Sequence, residues 1–452
     1  MKHYEVIIII GFGKGGKTLA AKLAMLGKKV ALIEEDENMY GGTCINVGCI
    51  PSKSLVKNSL CADKNANWEI KQNFYYNAIL EEKQLSAMLR QKNYDKLNAL
   101  ENITLYLGKA SFINEKTLLI QGEKEVQISA DRIYINTGSI PIIPDIKGLD
   151  QSKNVLTSKE LMAQENLPKH LVIIGGGYIA LEFACIYANF GSKVTLLQRN
   201  DTFLGKEDKD FADLIFQNLE NKQIDIRLGV QFKEIKDFDQ KSIVFFTQDH
   251  QDFEIECDMI LLATGRKANT LGLSCDKAGI QLDKRGFIIV DDTLKTNKDS
   301  IYALGDVNGG LQFTYVSLDD YRIAYAPFRQ QNYTKSKRKV IPYSVFIDPP
   351  FSRVGLNEKE SIDAGYRIKV VKLPVVAIPK AQVLKKTYGL LKAIINEEND
   401  EILGAMLFCE ESHEMINIVK LAMDTNLKYQ VLRDQIYTHP TMSESFNDLF
   451  DI

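Results

Sequence analysis

The chain has 452 residues, of which 45% are hydrophobic and 25% charged, with a net charge of −3. This is room for three or four domains at the composition of an ordinary soluble protein. The weak negative charge excludes a nucleic-acid footprint, and the short basic run of Lys335, Lys337, Arg338 and Lys339 reads as a solvated linker.

The first apolar run, Val6 to Ile10, is too short for a signal-peptide core or a membrane span, so no membrane partner is expected. Seven cysteines, scattered apart from one close pair, fit a reducing cytoplasm with one functional disulfide better than a secreted framework. Residues 4–10 read as a buried strand. Gly11, Gly13 and Gly16 follow as G-x-G-x-x-G, a helix is expected over Lys17–Leu26, and VALIE forms a second strand ending at Glu34. This is a βαβ dinucleotide unit: the glycines let the backbone approach a pyrophosphate, the helix start favours its charge, and Glu34 is placed to accept a ribose hydroxyl.

Next comes GGTCINVGCIPSK, residues 41–53, holding Cys44 and Cys49 with four residues between them, and then Lys53. In a regular helix residues five apart diverge by about 140°, beyond easy disulfide reach. A bridge therefore needs a distorted turn, which Gly48 and Pro51 are suited to allow. A strained, accessible disulfide is the labile, catalytic kind. Two alternatives stay open at this point. The pair could be half of a zinc site, although no His lies within thirty residues of Cys44 and no second close Cys pair exists. It could equally be two unpaired structural cysteines.

Residues 54–107 read as polar helix covering the first unit, and strands are expected from about 103 to 135. YINTGSIP, residues 134–141, reads as a strand ending in a glycine turn at Gly138. A second fingerprint opens at residues 171–182: Gly175 and Gly177 match, Ala180 takes the third glycine position, and a helix runs to Phe190. Here the ribose-reading position is Gln198, followed by Arg199. A neutral residue beside an arginine suits a 2′-phosphate better than a 2′-hydroxyl, which favours NADPH over NADH. Strands from 224 to 265 close this unit in LLATGR, which contains Gly265; IYALGD then places Asp306 after a short strand. From about 335 an α+β pattern without a nucleotide motif runs to HPTMSESFNDLF. There Pro440 is suited to a first helical position, and Glu444, about one turn on, could orient His439 as a proton carrier.

Together GFGKGG with Glu34, GGTCINVGCIPSK, GGGYIALE, LLATGR, YALGD and HPTMSE resemble, in order and over essentially the whole chain, the pyridine nucleotide–disulfide oxidoreductases of the glutathione reductase and dihydrolipoamide dehydrogenase type. The resemblance implies an α/β fold of two Rossmann-like doubly wound domains, for FAD and NAD(P)H, and a C-terminal α+β dimerisation domain. Boundaries are expected as 1–146 and 267–334 for the FAD and central parts, 147–266 for NAD(P)H and 335–452 for dimerisation. It implies FAD on Gly11, Gly13, Gly16, Glu34, Thr43, Gly138 and Asp306, with Lys53, paired to Glu182, at the flavin. NADPH, with NADH possible, would lie on Gly175, Gly177, Ala180, Gln198, Arg199 and Gly265, with Tyr178 gating the nicotinamide. Cys49 would be the thiol nearest the flavin and Cys44 the outer, attacking thiol. His439 and Glu444 would come from the other subunit of a homodimer.

Within the family, GFGKGGKTLA, MYGGTC and HPTMSESFNDLF look most like the reactive-chlorine-resistance flavoproteins, linked to reduction of hypothiocyanous acid, a small oxidant. Mercuric reductases usually add a C-terminal cysteine pair, whereas no cysteine follows Cys409 here and His439 is kept. Of the Arg positions that glutathione reductases use, Arg322 sits where one would fall but Ala21 occupies another's place, and Lys14 replaces a small residue. Lipoamide dehydrogenases usually carry an acidic residue where Gln198 stands. Lipoamide, glutathione-type disulfides and mercuric or cupric ions are the alternative substrates. A flavin redox sensor without turnover is the non-enzymatic alternative, and it leaves the second nucleotide unit and the His–Glu pair unexplained.

Overall fold

The computed structural model describes residues 2–452. Strand β1 (Lys2–Ile10) leads through a glycine turn into helix α1 (Lys14–Met25) and back to β2 (Val30–Glu34). Ile7 to Ile10 are buried on both faces, so this end of the strand is continuously apolar, as central parallel strands are. Each such Ile contributes about 1.5–3 kcal/mol by burial, which sets the register Ile7 to Val30 and Ile10 to Ile33. Three helices follow, the short α2 (Thr43–Asn46), α3 (Cys49–Ser59) and the long α4 (Trp68–Asn98). Strands β3 (Ile103–Leu107), β4 (Lys109–Asn114), β5 (Thr117–Gln121) and β6 (Glu125–Ile135) complete a sheet ordered β3-β2-β1-β6-β5-β4.

After β7 (Ser139–Pro141), β8 (Val155–Leu156) and α5 (Ser158–Met162), the same βαβ pattern recurs in β9 (His170–Ile174), α6 (Tyr178–Phe190) and β10 (Lys193–Leu197). Helix α7 (Lys209–Asn221) leads to β11 (Ile224–Arg227), and an antiparallel ribbon of β12 (Gln231–Phe238), β13 (Lys241–Gln248) and β14 (Gln251–Cys257) precedes β15 (Met259–Leu262). These give a second, parallel sheet ordered β11-β10-β9-β15-β8. Strand β16 (Arg266–Ala268) pairs with β7, and β17 (Ile301–Ala303) returns to the first sheet beside β6.

Helix α8 (Thr314–Tyr325) packs on α1. The C-terminal part places β18 (Tyr343–Val345), β19 (Phe351–Gly355), β20 (Ile368–Pro374), β21 (Leu390–Asn396) and β22 (Ile402–Phe408) in one antiparallel sheet ordered β18-β19-β22-β21-β20. Helices α9 (Glu358–Asp363), α10 (Pro379–Leu384), α11 (Ser412–Asp424), α12 (Tyr429–Asp434) and α13 (Ser445–Leu449) accompany it. Among the described residues, no helix is long and apolar enough to cross a membrane.

Three expectations need correction. The segment after His439 does not start a helix at Pro440: α13 begins only at Ser445, because Glu444 turns back to accept from the Thr441 N–H at 3.2 Å. The basic run is not all solvated. Arg338 is largely buried and pairs with Asp319, at 2.6 Å, and with Asp320, while Lys335, Lys337 and Lys339 are exposed. Helix α4 covers more than the first unit: the Tyr75 and Tyr187 hydroxyls lie 2.9 Å apart, tying it to α6.

Candidate active site

The two glycine turns have the same local build. Gly11 (φ +101°) and Gly175 (φ +126°) each pass so close to the end of a neighbouring strand that an added Cβ would lie 2.3 Å from a carbonyl oxygen, of Asn136 and of Ala263 respectively. Only glycine fits both the positive φ and that approach. At Gly16 a Cβ would meet the Gly11 oxygen at 2.6 Å, whereas the equivalent position in the second turn holds Ala180, fully buried. Gly13 and Gly177 sit at the N-caps of α1 and α6, and both helix starts line the same cavity of about 2930 Å³; at α1 the Gly15 and Gly16 N–H groups already donate to the Ser317 hydroxyl and the Asn136 side chain.

At the first turn, Glu34 accepts from the Phe12 N–H at 2.9 Å, and burial lifts its carboxyl to about 7. Asp306 is reached by the Ser139 hydroxyl at 2.7 Å, and burial raises it too. Gly138 has open space where a Cβ would stand, Gly265 meets only Ile142 at 3.6 Å, and Thr43 is exposed to the cavity. These acceptors, helix ends and open glycines fit an ADP-ribosyl group and a flavin. At the second turn, Gln198 donates to the Thr202 carbonyl at 2.8 Å, and its carboxamide fills the space beside Gly176 where a side chain would otherwise stand. Arg199 stands exposed on the cavity wall. These residues fit a second dinucleotide.

The cysteines lie between the two turns. Cys44 is in α2 and Cys49 opens α3; the break between them falls at Gly48, where a Cβ would meet the Thr43 carbonyl at 2.9 Å. This is the distorted turn the spacing requires. Both are free thiols, and the proton affinity of each depends on the other. The neighbouring Cys44, helped by the Thr314 hydroxyl at 3.6 Å and the Lys53 charge, brings Cys49 down to about 6 against the cost of burial. Cys49 in turn, with burial, pushes Cys44 well above the ordinary thiol range, so of the two thiols Cys49 is the one that ionises more readily. Lys17 steadies the preceding loop: its ammonium donates to the Gly41 carbonyl at 3.2 Å and to Asn93 at 2.6 Å, and burial lowers it to about 8.

One turn along α3, Lys53 lies 2.7 and 2.9 Å from the two carboxylate oxygens of Glu182 on α6, and over the Phe346 ring at 4.6 Å. Glu182 also accepts from the Phe346 N–H at 2.9 Å, so its buried charge is fully partnered. Tyr178, at the start of α6, donates to Glu207 and stacks on Tyr343 at 5.5 Å. His439 Nδ1 lies 2.7 Å from Glu444, and the ring is exposed. Neither residue lines the cavity of its own chain.

A family model described as pyridine nucleotide-disulphide oxidoreductase matches residues 5–320, and the corresponding dimerisation domain matches residues 341–450. The chain belongs to the pyridine nucleotide–disulfide oxidoreductases. It is 45% identical over 455 residues, 100% of both chains, to the probable pyridine nucleotide-disulfide oxidoreductase RclA of Escherichia coli K12. Mercuric reductase of Staphylococcus aureus is 31% identical across 97% of this chain and 80% of its own length. Dihydrolipoyl dehydrogenase of Buchnera aphidicola is 32% identical, over 98% and 95%. A solved structure, the Cu(II) complex of the HOCl-induced flavoprotein disulfide reductase RclA from Escherichia coli, superposes with a TM-score of 0.93 at 45% identity, over 100% of this chain and 99% of that one. The family's FAD and NAD(P)H chemistry and its disulfide oxidoreductase activity therefore extend to this chain.

Thr314, Glu207, Tyr343, Lys17 and Gly176 were not found by sequence reasoning. Thr314 lies 265 residues from Cys49 and carries no local signature.

Proposed function

We propose that this protein is an NADPH-dependent, cytoplasmic, homodimeric reductase of small thiol-reactive oxidants, with hypothiocyanous acid as its substrate, acting in oxidative-stress defence. The observation that carries the reading is the Cys44–Cys49 pair of free thiols, standing on the wall of a cavity that both glycine turns enter. The relation to an HOCl-induced disulfide reductase supports the stress role. Arg199 on the cavity wall and the neutral Gln198 favour the 2′-phosphate of NADPH. Residues 1–146 with 267–334, 147–266 and 335–452 serve as the FAD, nucleotide and dimer units.

When bound, FAD and NADPH supply the two-electron chemistry that returns the Cys44–Cys49 disulfide to the dithiol. The chain's own residues do the rest. Gly11, Gly13, Gly16, Glu34, Thr43, Gly138 and Asp306 would hold the first nucleotide, while Gly175, Gly177, Ala180 and Gly265 would hold the second. Lys53, kept in place by Glu182, would offer its ammonium to the flavin. Because Cys44 holds its proton tightly, it needs a base before it can attack. His439 of the partner subunit, oriented by Glu444, takes that proton. The Cys44 sulfur then attacks the electrophilic sulfur of hypothiocyanous acid, forming an S–S bond to the thiocyanato group. The departing hydroxide takes the proton back from His439 as water. Cys49, already a thiolate, attacks the Cys44 sulfur, expels thiocyanate and closes the disulfide. Such a substrate needs an accessible sulfur and little recognition surface.

Steady NADPH turnover with hypothiocyanous acid, lost in Cys44→Ser, is the expected result. Turnover with glutathione disulfide and none with hypothiocyanous acid would replace the substrate.

A further inference from the structure

The Glu207 carboxylate is wholly buried. One of its oxygens accepts from both the Tyr178 and the Tyr343 hydroxyls, and the other faces Arg353 Nη1 at 3.3 Å. Arg353 is itself fixed by Glu360 and by the Lys206 carbonyl, at 3.1 Å. The acceptor is thus a charge with its own counter-ion, anchored to β19 in the C-terminal sheet. The ring of Tyr343 stands between two others: Tyr178 at 5.5 Å on one side, and Phe313 at 6.2 Å and nearly parallel on the other. Phe313 directly precedes Thr314, whose hydroxyl faces Cys49. Tyr178 therefore closes against a stacked wall that runs to the dithiol, and its hydroxyl ends on a buried anion.

We propose that Glu207 is a positioning residue that latches Tyr178 shut over the nicotinamide subsite, so that each nucleotide must break the Tyr178–Glu207 hydrogen bond to enter. The inference rests on the reading above that Tyr178 gates that subsite. It adds what holds the gate, and from which part of the fold. Burial, with the negative charge of Glu207, keeps the Tyr178 phenol protonated throughout the working pH range, so the latch stays a donor-to-carboxylate bond. Glu207 also lies near the end of the loop that begins with Gln198 and Arg199, and this one segment carries both the 2′-phosphate readers and the latch.

A latch has two consequences for the reaction. Part of the nucleotide's binding free energy is used to open it, which raises the apparent KM. While shut, it shields the reduced site from dioxygen, which would otherwise be reduced to hydrogen peroxide as NADPH and a proton become NADP+.

The test uses the FAD-bound protein and four variants, measuring the KM and kcat for NADPH and the peroxide-forming oxidase rate without another oxidant. Tyr178→Phe keeps the ring and removes the latch. Its KM for NADPH should fall by about tenfold, more than kcat changes, because a hydrogen bond to a buried charge no longer opposes opening. Its oxidase rate should rise several-fold. Glu207→Gln, whose carboxamide oxygen still accepts but carries no charge, should shift both in the same direction by less, and the double variant should match Tyr178→Phe. If Glu207→Gln does not fold, Tyr178→Phe carries the test alone, because it leaves Glu207 paired with Arg353. Tyr178→Phe matching the wild type in both measurements, while Tyr178→Ala shifts both, would overturn the latch and leave the gate. Tyr178→Ala without effect would remove the gate, and the latch with it.

Discussion

The charge on Cys49 gives the sharpest pH prediction. A thiol at about 6 is roughly nine-tenths ionised at pH 7, against about 1% for an ordinary thiol near 9. Because the folded value is depressed, the thiolate and the stability it gives the reduced protein are fully present above about pH 9. They are lost as pH falls through about 6. Thr314→Val removes one of the donors that hold the anion, and should move the midpoint upward by roughly half to one pH unit, the worth of one modest hydrogen bond. The assay is the long-wavelength absorbance of the NADPH-reduced protein, backed by the rate of alkylation with iodoacetamide, from pH 5 to 9. A wild-type midpoint near 8.5, or no displacement in Thr314→Val, would refute the assignment of the charge to Cys49 and of its support to Thr314.

Four further outcomes are expected. Lys53→Met should cut NADPH-driven turnover by about a hundredfold or more and lower the unfolding temperature, since it leaves Glu182 a buried charge without a counter-ion; Glu182→Gln added to it should recover part of the stability. Arg199→Ala should raise the KM for NADPH by about tenfold or more and leave that for NADH nearly unchanged, as steady-state kinetics will show. In flavin-stripped protein, stability should fall as pH rises from about 4.5 to about 7, because the folded form holds a proton on Glu34 that the unfolded chain has lost; Glu34→Gln should flatten that slope in thermal unfolding. Mixed dimers of Cys44→Ser and His439→Gln subunits should regain up to about half the wild-type turnover, since one of the two sites then has both groups. Mixed dimers that stay inactive would place His439 and Cys44 of one chain in the same site.

Much of the fold was legible because its signals are local. A strand buried on both faces reads as a continuous apolar run, and a backbone passing 2.3 Å from a carbonyl admits only glycine, so both nucleotide turns stood out. The Cys44–Cys49 spacing required a break, and Gly48 supplies it. The pairing of Lys53 with Glu182 spans 129 residues and was legible only through resemblance to a family. Glu207 and Tyr343 were not legible at all. Each looks like an ordinary surface residue until folding buries a carboxylate between two phenols and an arginine. Arg338 misled for the same reason: a basic run reads as solvated unless the acids that meet it, Asp319 and Asp320 on α8, are known to be buried. At Pro440, a good helix opener was overruled by Glu444, whose carboxylate is engaged by Thr441 and His439.

The most direct test of the central claim is anaerobic stopped-flow oxidation of the NADPH-reduced protein by hypothiocyanous acid, glutathione disulfide and lipoamide in turn, for the wild type and Cys44→Ser. The account predicts that hypothiocyanous acid discharges the long-wavelength band fastest and that Cys44→Ser abolishes this. Reoxidation by hypothiocyanous acid at an undiminished rate in Cys44→Ser, or reoxidation of the wild type by glutathione disulfide or lipoamide alone, would contradict it.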